Sequence, residues 1–384
     1  MKRKVCVVVT ARPSYSRVKT ALQAIKDHPK LELQLVLAGA SLLERYGSVV
    51  NYVEEDGFEI KEKVFMVLEG DMPTAMAKTT GLGVTELANV FFNLKPDMVI
   101  TIADRFETIA TSIAAAYQNI PLVHLQGGEV TGNIDEKVRH ANTKLADIHL
   151  VASELASKRV KKLGEDEEYI FNTGCPSIDI AKEVLKRPKL DFDPFEKYGG
   201  VGARFNYKDG YLVVMQHPVT TEYTKSKEQM NHLLNAVYKL DKPTFWFWPN
   251  VDAGSDGASS AIRKFRENNE LKNIHFFKNM ESNDFLRLLF NSNVLIGNSS
   301  VGIRECSFLG VPVVNIGTRQ YGRERGRNVL DTGYTEAEIY NSIKTQLTKV
   351  NRHQDFIFGS GDSGLKIAEA LANVKLRSHK TLTY

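Results

Sequence analysis

Two stretches in the second half of the chain carry groups suited to phosphate. The block GNSSVGIRE at 297–305 follows an apolar run at 294–296 and precedes a helical pattern, so it lies where a strand ends and a helix begins. Free N–H groups, hydroxyls and the positive end of a helix dipole suit phosphate oxygens at such a turn. Ser299, Ser300 and Gly302 are therefore candidate binding residues, and Glu305, one turn into that helix, offers acceptors for ribose hydroxyls. Taken alone, the block reads equally as an ordinary serine-capped helix. After the next strand, GTRQYGRERGR at 317–327 adds Arg319, Arg323, Arg325 and Arg327, and guanidinium forks match diphosphate geometry. Together the two loops imply a nucleotide-diphosphate site.

The first half carries acid–base chemistry. Asp104 and Arg105 stand at the end of an apolar strand, HLQGGE at 124–129 follows the next strand with Gln126 and Glu129, and DEKVRH occupies 135–140. Asp135 and Arg139 are four apart and share one face if that segment is helical. His217 directly follows the run at 211–215 and precedes Pro218, so it belongs to the end of a strand in the second half. His124 reads as readily as a hydrogen-bonded core residue. Arg12 sits in TARPS, directly after the first strand, and Asn250 in the loop PNVDAG after a strand whose tryptophans suit packing. Cations on one wall and carboxylates on another suit a nucleotide-sugar: the first hold the diphosphate while the second act on sugar carbons.

The elements that must position these groups follow from periodicity. Largely apolar runs at 5–9, 33–37, 98–103 and 122–125 alternate with helical patterns such as 14–26, 74–93 and 105–117. This is the pattern of a parallel sheet covered on both faces. A Gly-, Pro- and charge-rich stretch at 188–210 reads as a connection, and the alternation restarts with strands at 211–215, 244–248, 273–277, 294–296 and 311–315. The expected fold is α/β, with two Rossmann-like domains at 1–187 and 188–362, a cleft between them, and a closing helix in 363–384 that crosses back to the first. No dinucleotide fingerprint, Walker loop or HExxH motif is present, and Gly81 and Gly83 lie inside a helical pattern.

Composition agrees with a nucleic-acid-free, membrane-free reading. The 384 residues exceed one ordinary core, and 42% hydrophobic with 25% charged residues is average globular usage. The net charge of +4 comes without a polybasic block. Three scattered cysteines, Cys6, Cys175 and Cys306, suit a reducing cytoplasm, and no apolar run reaches the ~18 residues of a membrane span.

With these blocks in view, the chain resembles the hydrolysing UDP-N-acetylglucosamine 2-epimerases of sialic acid biosynthesis. The resemblance runs in order through RPSYS, ADRFE, HLQGGEVTGNIDEKVRHANTK, GCPS, QHPVTTE, PNVDAGS, GNSSVGIRE and GTRQYGRERGRNV, and so covers most of the chain. It implies a GT-B-like pair of domains, no metal or nicotinamide cofactor, and a UDP-linked nucleotide-sugar substrate. It also suggests a homodimer or homotetramer. It assigns Arg105, Ser299, Ser300, Glu305 and Arg319 to nucleotide binding, and Asp104, Asp135, Arg139 and His217 to catalysis. Gln126 departs from the pattern, because the family often has a carboxylate there and an amide cannot act as a base. Base duty then falls to Asp104, Asp135 or Glu129, or the sugar differs, as in related enzymes acting on UDP- or GDP-linked 2,4-diacetamido sugars for legionaminic acid. The rival readings are a GT-B glycosyltransferase, a non-hydrolysing 2-epimerase and an inactive nucleotide-sugar sensor.

Overall fold

The computed structural model describes every residue except 44–47, 69–72, 104, 131–133, 250–253, 350–351 and 384. The chain divides into two compact units, one formed by Met1–Asp179 with Phe358–Tyr384 and the other by Ile180–Ile357. Among the described residues, no helix is long and apolar enough to cross a membrane.

The first unit begins β1 (Arg3–Val9), α1 (Arg12–Asp27), β2 (Leu31–Ala38), α2 (Val50–Glu55), β3 (Ile60–Val64) and α3 (Pro73–Leu94). It continues β4 (Met98–Ile102), α4 (Thr108–Tyr117), β5 (Leu122–Leu125), α5 (Ile134–Leu145), β6 (Ile148–Val151), α6 (Glu154–Lys162) and β7 (Ile170–Asn172), and the boundary at Asp179 falls within α7 (Pro176–Lys186). The strands pair in the order β3-β2-β1-β4-β5-β6-β7, all parallel. Alternate residues of β1 feed two cores: Val5, Val7 and Val9 pack beneath α1, and Cys6 and Val8 pack toward α3 and α4. This burial on both faces is why β1 is apolar from Val5 onward and β4 is apolar but for Thr101.

The second unit runs α8 (Pro194–Tyr198), β8 (Val201–Gly202), β9 (Leu212–Met215), α9 (Ser226–Leu240), β10 (Thr244–Phe247), α10 (Ser255–Asn268) and β11 (Ile274–Phe277). Then come α11 (Ser282–Asn291), β12 (Val294–Gly297), α12 (Ser300–Ile303), α13 (Glu305–Leu309), β13 (Val313–Ile316), β14 (Val329–Thr332) and α14 (Glu336–Leu347). Its sheet order is β14-β13-β12-β9-β10-β11-β8, with β8 antiparallel on the edge. The stretch expected as a bare connection thus contributes α8 and an edge strand, with Phe195 packed against Phe245 and His275.

Each sheet winds outward in both directions from a central pair, β1 and β4 in the first unit and β9 and β12 in the second. At such a switch point the flanking loops diverge and leave a crevice outside the strand C-termini. The residues at the ends of these four strands are therefore the ones the fold offers to a ligand.

Helix α15 (Ser363–Asn373) packs on α1 and closes the first unit. Buried Asp179 accepts the N–H groups of Ser363 and Gly364 at 2.8 and 2.7 Å and the Thr20 hydroxyl at 2.9 Å. Beyond α15 the tail is tied down by ion pairs: Arg377 to Asp166 at 2.8 Å and Lys380 to buried Glu165 at 2.6 Å. Burial alone would raise the Glu165 carboxyl, but hydrogen bonds from His149, Lys144 and Lys380 bring it down to about 2. Replacing Asp179 with Ala leaves the first turn of α15 without its acceptors. The variant is expected to lose about 2 kcal/mol, read as a lower urea midpoint, and an unchanged midpoint would show that α15 does not depend on this cap.

Candidate active site

In the second unit the switch point is built around Asn298, which is completely buried. Gly297 precedes it at φ +132°, and a Cβ there would lie 2.1 Å from the Met215 carbonyl, so only glycine lets β12 run this close to β9. The Asn298 amide then spans the gap. Its Oδ1 accepts the His217 N–H at 2.8 Å and its Nδ2 donates to the His217 carbonyl at 2.8 Å. Its own carbonyl accepts from Gln320 Nε2 at 2.8 Å and Arg319 Nη1 at 3.2 Å. One asparagine thereby fixes the ends of β9 and β12 and the loop after β13. His217 is buried, and burial together with the nearby Arg319 charge pushes its imidazole down to about 3. It is a neutral hydrogen-bonding group at physiological pH.

Ser299 caps α12, its hydroxyl accepting from Val301 N–H at 3.5 Å, and Ser300 opens that helix. After one turn α12 gives way at Arg304 (φ −102°, ψ −75°), whose N–H donates to the Ser300 carbonyl at 3.1 Å, and Glu305 opens α13. Gly302 serves packing: a Cβ there would lie 2.9 Å from a Val313 methyl on β13. The arginines of the following loop separate. Arg323 Nη1 donates to Gln320 Oε1 at 3.0 Å, Arg325 pairs with Asp331 and donates to the Gln320 carbonyl, and Arg327 lies against Asp355. These three shape their own loop, and Arg319 is the one joined to Asn298. Asn250 lies outside the described residues.

In the first unit the equivalent edge is formed by the ends of β1, β4 and β5. Arg12 opens α1 and stacks over the Tyr52 ring at 4.9 Å. Ala103 ends β4 at φ +59°, its carbonyl facing His124 Nε2 at 2.9 Å. His124 is fully buried, with Nδ1 3.1 Å from the Thr143 hydroxyl, so it shapes the turn from within. Asp104 lies outside the described residues. Arg105 is held by buried Glu107, Nε to Oε1 at 2.7 Å.

Gln126 ends β5 in the left-handed region at φ +68° and is completely buried. Its Nε2 donates to Cys175 Sγ at 3.1 Å and its Oε1 accepts from Arg17 Nη1 at 3.3 Å. Its carbonyl accepts from Arg139 Nη1 at 2.8 Å. The amide thus braces the turn from inside the domain. Arg139 is 1% exposed, and Glu129 Oε2 lies 3.9 Å from it. Gly127 and Gly128 make the turn between Gln126 and Glu129 possible: a Cβ on Gly128 would sit 2.3 Å from the Ala156 carbonyl. Asp135, half-buried, stands in the first turn of α5, and Arg139 one turn later on the same helix.

Sequence patterning thus located Arg12, Arg105, Gln126, Glu129, Asp135 and Arg139 in one unit, and His217, Ser299, Ser300, Gly302, Glu305 and Arg319 in the other. It passed over Asn298, Gln320, Arg17 and Cys175. Asn298 was within reach, since a glycine-asparagine pair at a strand end marks a special turn. The other three act through distant partners that no local spacing reveals. Among the described residues, no cluster of three or more His, Cys, Asp or Glu forms a metal site.

The family profile described as UDP-N-acetylglucosamine 2-epimerase matches residues 23–372. The UDP-N,N'-diacetylbacillosamine 2-epimerase (hydrolyzing) of Legionella pneumophila is 31% identical over 98% of this chain and 98% of its own. The GDP/UDP-N,N'-diacetylbacillosamine 2-epimerase (hydrolyzing) of Campylobacter jejuni is 32% identical over 91% of this chain and 90% of its own. Among solved structures, the Methanocaldococcus jannaschii UDP-GlcNAc 2-epimerase in complex with UDP-GlcNAc and UDP superposes with a TM-score of 0.77 at 17% identity, covering 96% of this chain and 99% of the other. That likeness shows the fold, two GT-B-like Rossmann domains.

The buried neutral state of His217 has a pH signature. Its folded pKa is far below the unfolded value of about 6.5, so the unfolded chain takes up the proton first, and stability falls as pH drops below that value. Comparing urea unfolding at pH 6.5 and 5, a His217→Gln variant is expected to lose about 2 kcal/mol less than the native chain. Identical losses in the two proteins would mean that His217 titrates normally. Separately, Asn298→Ala is expected to cost about 2–4 kcal/mol, against less than about 1 kcal/mol for Ser300→Ala. Equal, small losses would rule out a central role for the Asn298 amide.

Proposed function

This chain belongs to the UDP-N-acetylglucosamine 2-epimerase family, and from that premise we propose that it is a hydrolysing 2-epimerase converting UDP-N-acetylglucosamine to N-acetylmannosamine and UDP. The observation that carries the reading is the placement of Arg319 and His217 around Asn298 at the switch point of the second unit. A cation and a neutral N–H donor at that point suit a nucleoside diphosphate leaving group. The carboxylates belong to the first unit, and one substrate is proposed to engage both sets.

The diphosphate leaves C1 with the bonding electron pair, giving C1 cationic character. A carboxylate among Asp104, Glu129 and Asp135 takes the proton from C2, and the C1–C2 double bond of 2-acetamidoglucal forms. Water then adds its oxygen to C1 while a proton reaches the opposite face of C2, releasing the free manno sugar. The C2 hydrogen is too weakly acidic to be removed first, so stabilising the departing diphosphate sets the pace. Arg319 offers it charge, and His217 offers a hydrogen bond. Arg139, buried beneath the Gln126 turn, positions Glu129 without touching substrate. No cofactor is assigned to the reaction.

A second reading keeps the chemistry and changes the sugar. The Legionella pneumophila relative is a 2-epimerase of UDP-linked, and the Campylobacter jejuni relative of GDP- or UDP-linked, N,N'-diacetylbacillosamine, and this chain is proposed to accept a 2,4-diacetamido sugar in that case.

Proton NMR of reactions run in heavy water tests both readings. Offered UDP-N-acetylglucosamine, the enzyme is expected to yield free UDP and N-acetylmannosamine carrying deuterium at C2. Turnover only of the UDP- or GDP-linked diacetamido sugar selects the second reading. Retention of the original C2 hydrogen in the product contradicts the elimination route. An epimerised sugar still attached to UDP marks a non-hydrolysing enzyme, transfer to an acceptor other than water a glycosyltransferase, and binding without turnover a sensor. Asp135→Asn is expected to lower kcat by about 100-fold or more, and an unaltered kcat would move base duty to Asp104 or Glu129.

A further inference from the structure

The loop that carries Arg319 is held at a second place besides Asn298. Gly317 follows β13, its N–H on the Thr332 carbonyl at 3.0 Å and its backbone in the left-handed region at φ +75°. The ring of Tyr334 lies directly against it, since a Cβ on Gly317 would fall 2.0 Å from Tyr334 Cζ. Thr318 then donates its N–H to the Tyr334 hydroxyl at 3.2 Å, and its own hydroxyl donates to Glu222 Oε1. Glu222 belongs to the segment after β9, five residues beyond His217. This contact therefore joins the loop of Arg319 to the loop of His217, as the buried Asn298 amide also does.

Both anchors are themselves fixed. Tyr334 stands between β14 and α14, its carbonyl 3.0 Å from His232 Nδ1, and Thr335 directly after it forms a capping box with Glu338. Gln229, on α9 like His232, donates to Glu222 Oε2 at 2.9 Å. Burial alone would raise the Glu222 carboxyl, but hydrogen bonds from Thr318, Tyr334 and Gln229 hold it below the ordinary glutamate range. The carboxylate is thus ionised and engaged by neutral donors.

Arg319 stands between two tied neighbours. Thr318 on one side is held by Tyr334 and Glu222, and Gln320 on the other donates to the Asn298 carbonyl at 2.8 Å. Thr318 is exposed, so water competes for its hydrogen bonds and they add little to folding. Their consequence is geometric. A long side chain loses conformational entropy when a ligand orders it, and a backbone already fixed on both sides reduces the loss.

We propose that Tyr334 and Glu222 are positioning residues for the nucleotide wall: acting through Thr318, they preset the backbone from which Arg319 reaches the diphosphate. The inference rests on the reading of Arg319 as a diphosphate ligand, and it requires neither residue to touch the substrate.

Calorimetric titration of UDP into the native chain and its variants tests it, with thermal unfolding as the control for folding. Tyr334→Phe keeps the ring beneath Gly317 and removes only the hydroxyl. This variant, Glu222→Ala and Thr318→Val are each expected to weaken UDP binding about five- to tenfold, while Thr318→Ser keeps the native affinity. In an Arg319→Ala background, Tyr334→Phe is expected to weaken UDP by less than about twofold further, because the residue it positions is gone. Native affinity in Tyr334→Phe and Glu222→Ala, beside a loss of about tenfold or more in Arg319→Ala, would overturn the positioning role alone. A Thr318→Ser variant as weak as Thr318→Val would overturn it too, as would an undiminished effect of Tyr334→Phe without Arg319. Full affinity in Arg319→Ala would overturn the nucleotide reading, and this proposal with it.

Discussion

The reciprocal pair of hydrogen bonds between the Asn298 amide and the backbone of His217 is the interaction on which the proposed nucleotide wall depends. A buried primary amide has donors and acceptors that must all be met, and here they are met by the ends of neighbouring strands. The same residue's carbonyl collects Arg319 and Gln320, so three loops that would otherwise diverge at the switch point share one anchor. Glycine at 297 is the precondition, because β12 must approach Met215 more closely than any side chain permits.

The first unit solves the corresponding problem with Gln126. Its left-handed backbone turns the carbonyl toward Arg139, while its amide braces against Cys175 and Arg17. Each unit thus uses a buried amide side chain to hold a turn. The pKa of His217 follows from this arrangement. A histidine packed inside such a turn is kept neutral by burial and by Arg319.

The alternation of apolar runs and helical patterns made the two doubly wound sheets legible, because parallel strands buried on both faces leave continuous hydrophobic stretches. The strands that escaped are edge strands. IKEKV at β3 and VLDT at β14 carry polar residues on their open sides, and β8 has two residues in a segment that resembles a linker. The burial of Gln126 against Cys175 is a long-range fact that spacing cannot carry. The same holds for the partners of the loop arginines, two of which Asp331 and Asp355 engage from beyond the motif.

The central claim is a division of labour, with the second unit holding the nucleotide and the first acting on the sugar. Calorimetric titration of UDP into two variants tests it most directly. Arg319→Ala should weaken UDP binding by about ten- to a hundredfold, while Asp135→Asn should bind UDP as the native chain does and yet fail to turn substrate over. Equal losses of UDP affinity in both variants, or full affinity in Arg319→Ala, would contradict the account.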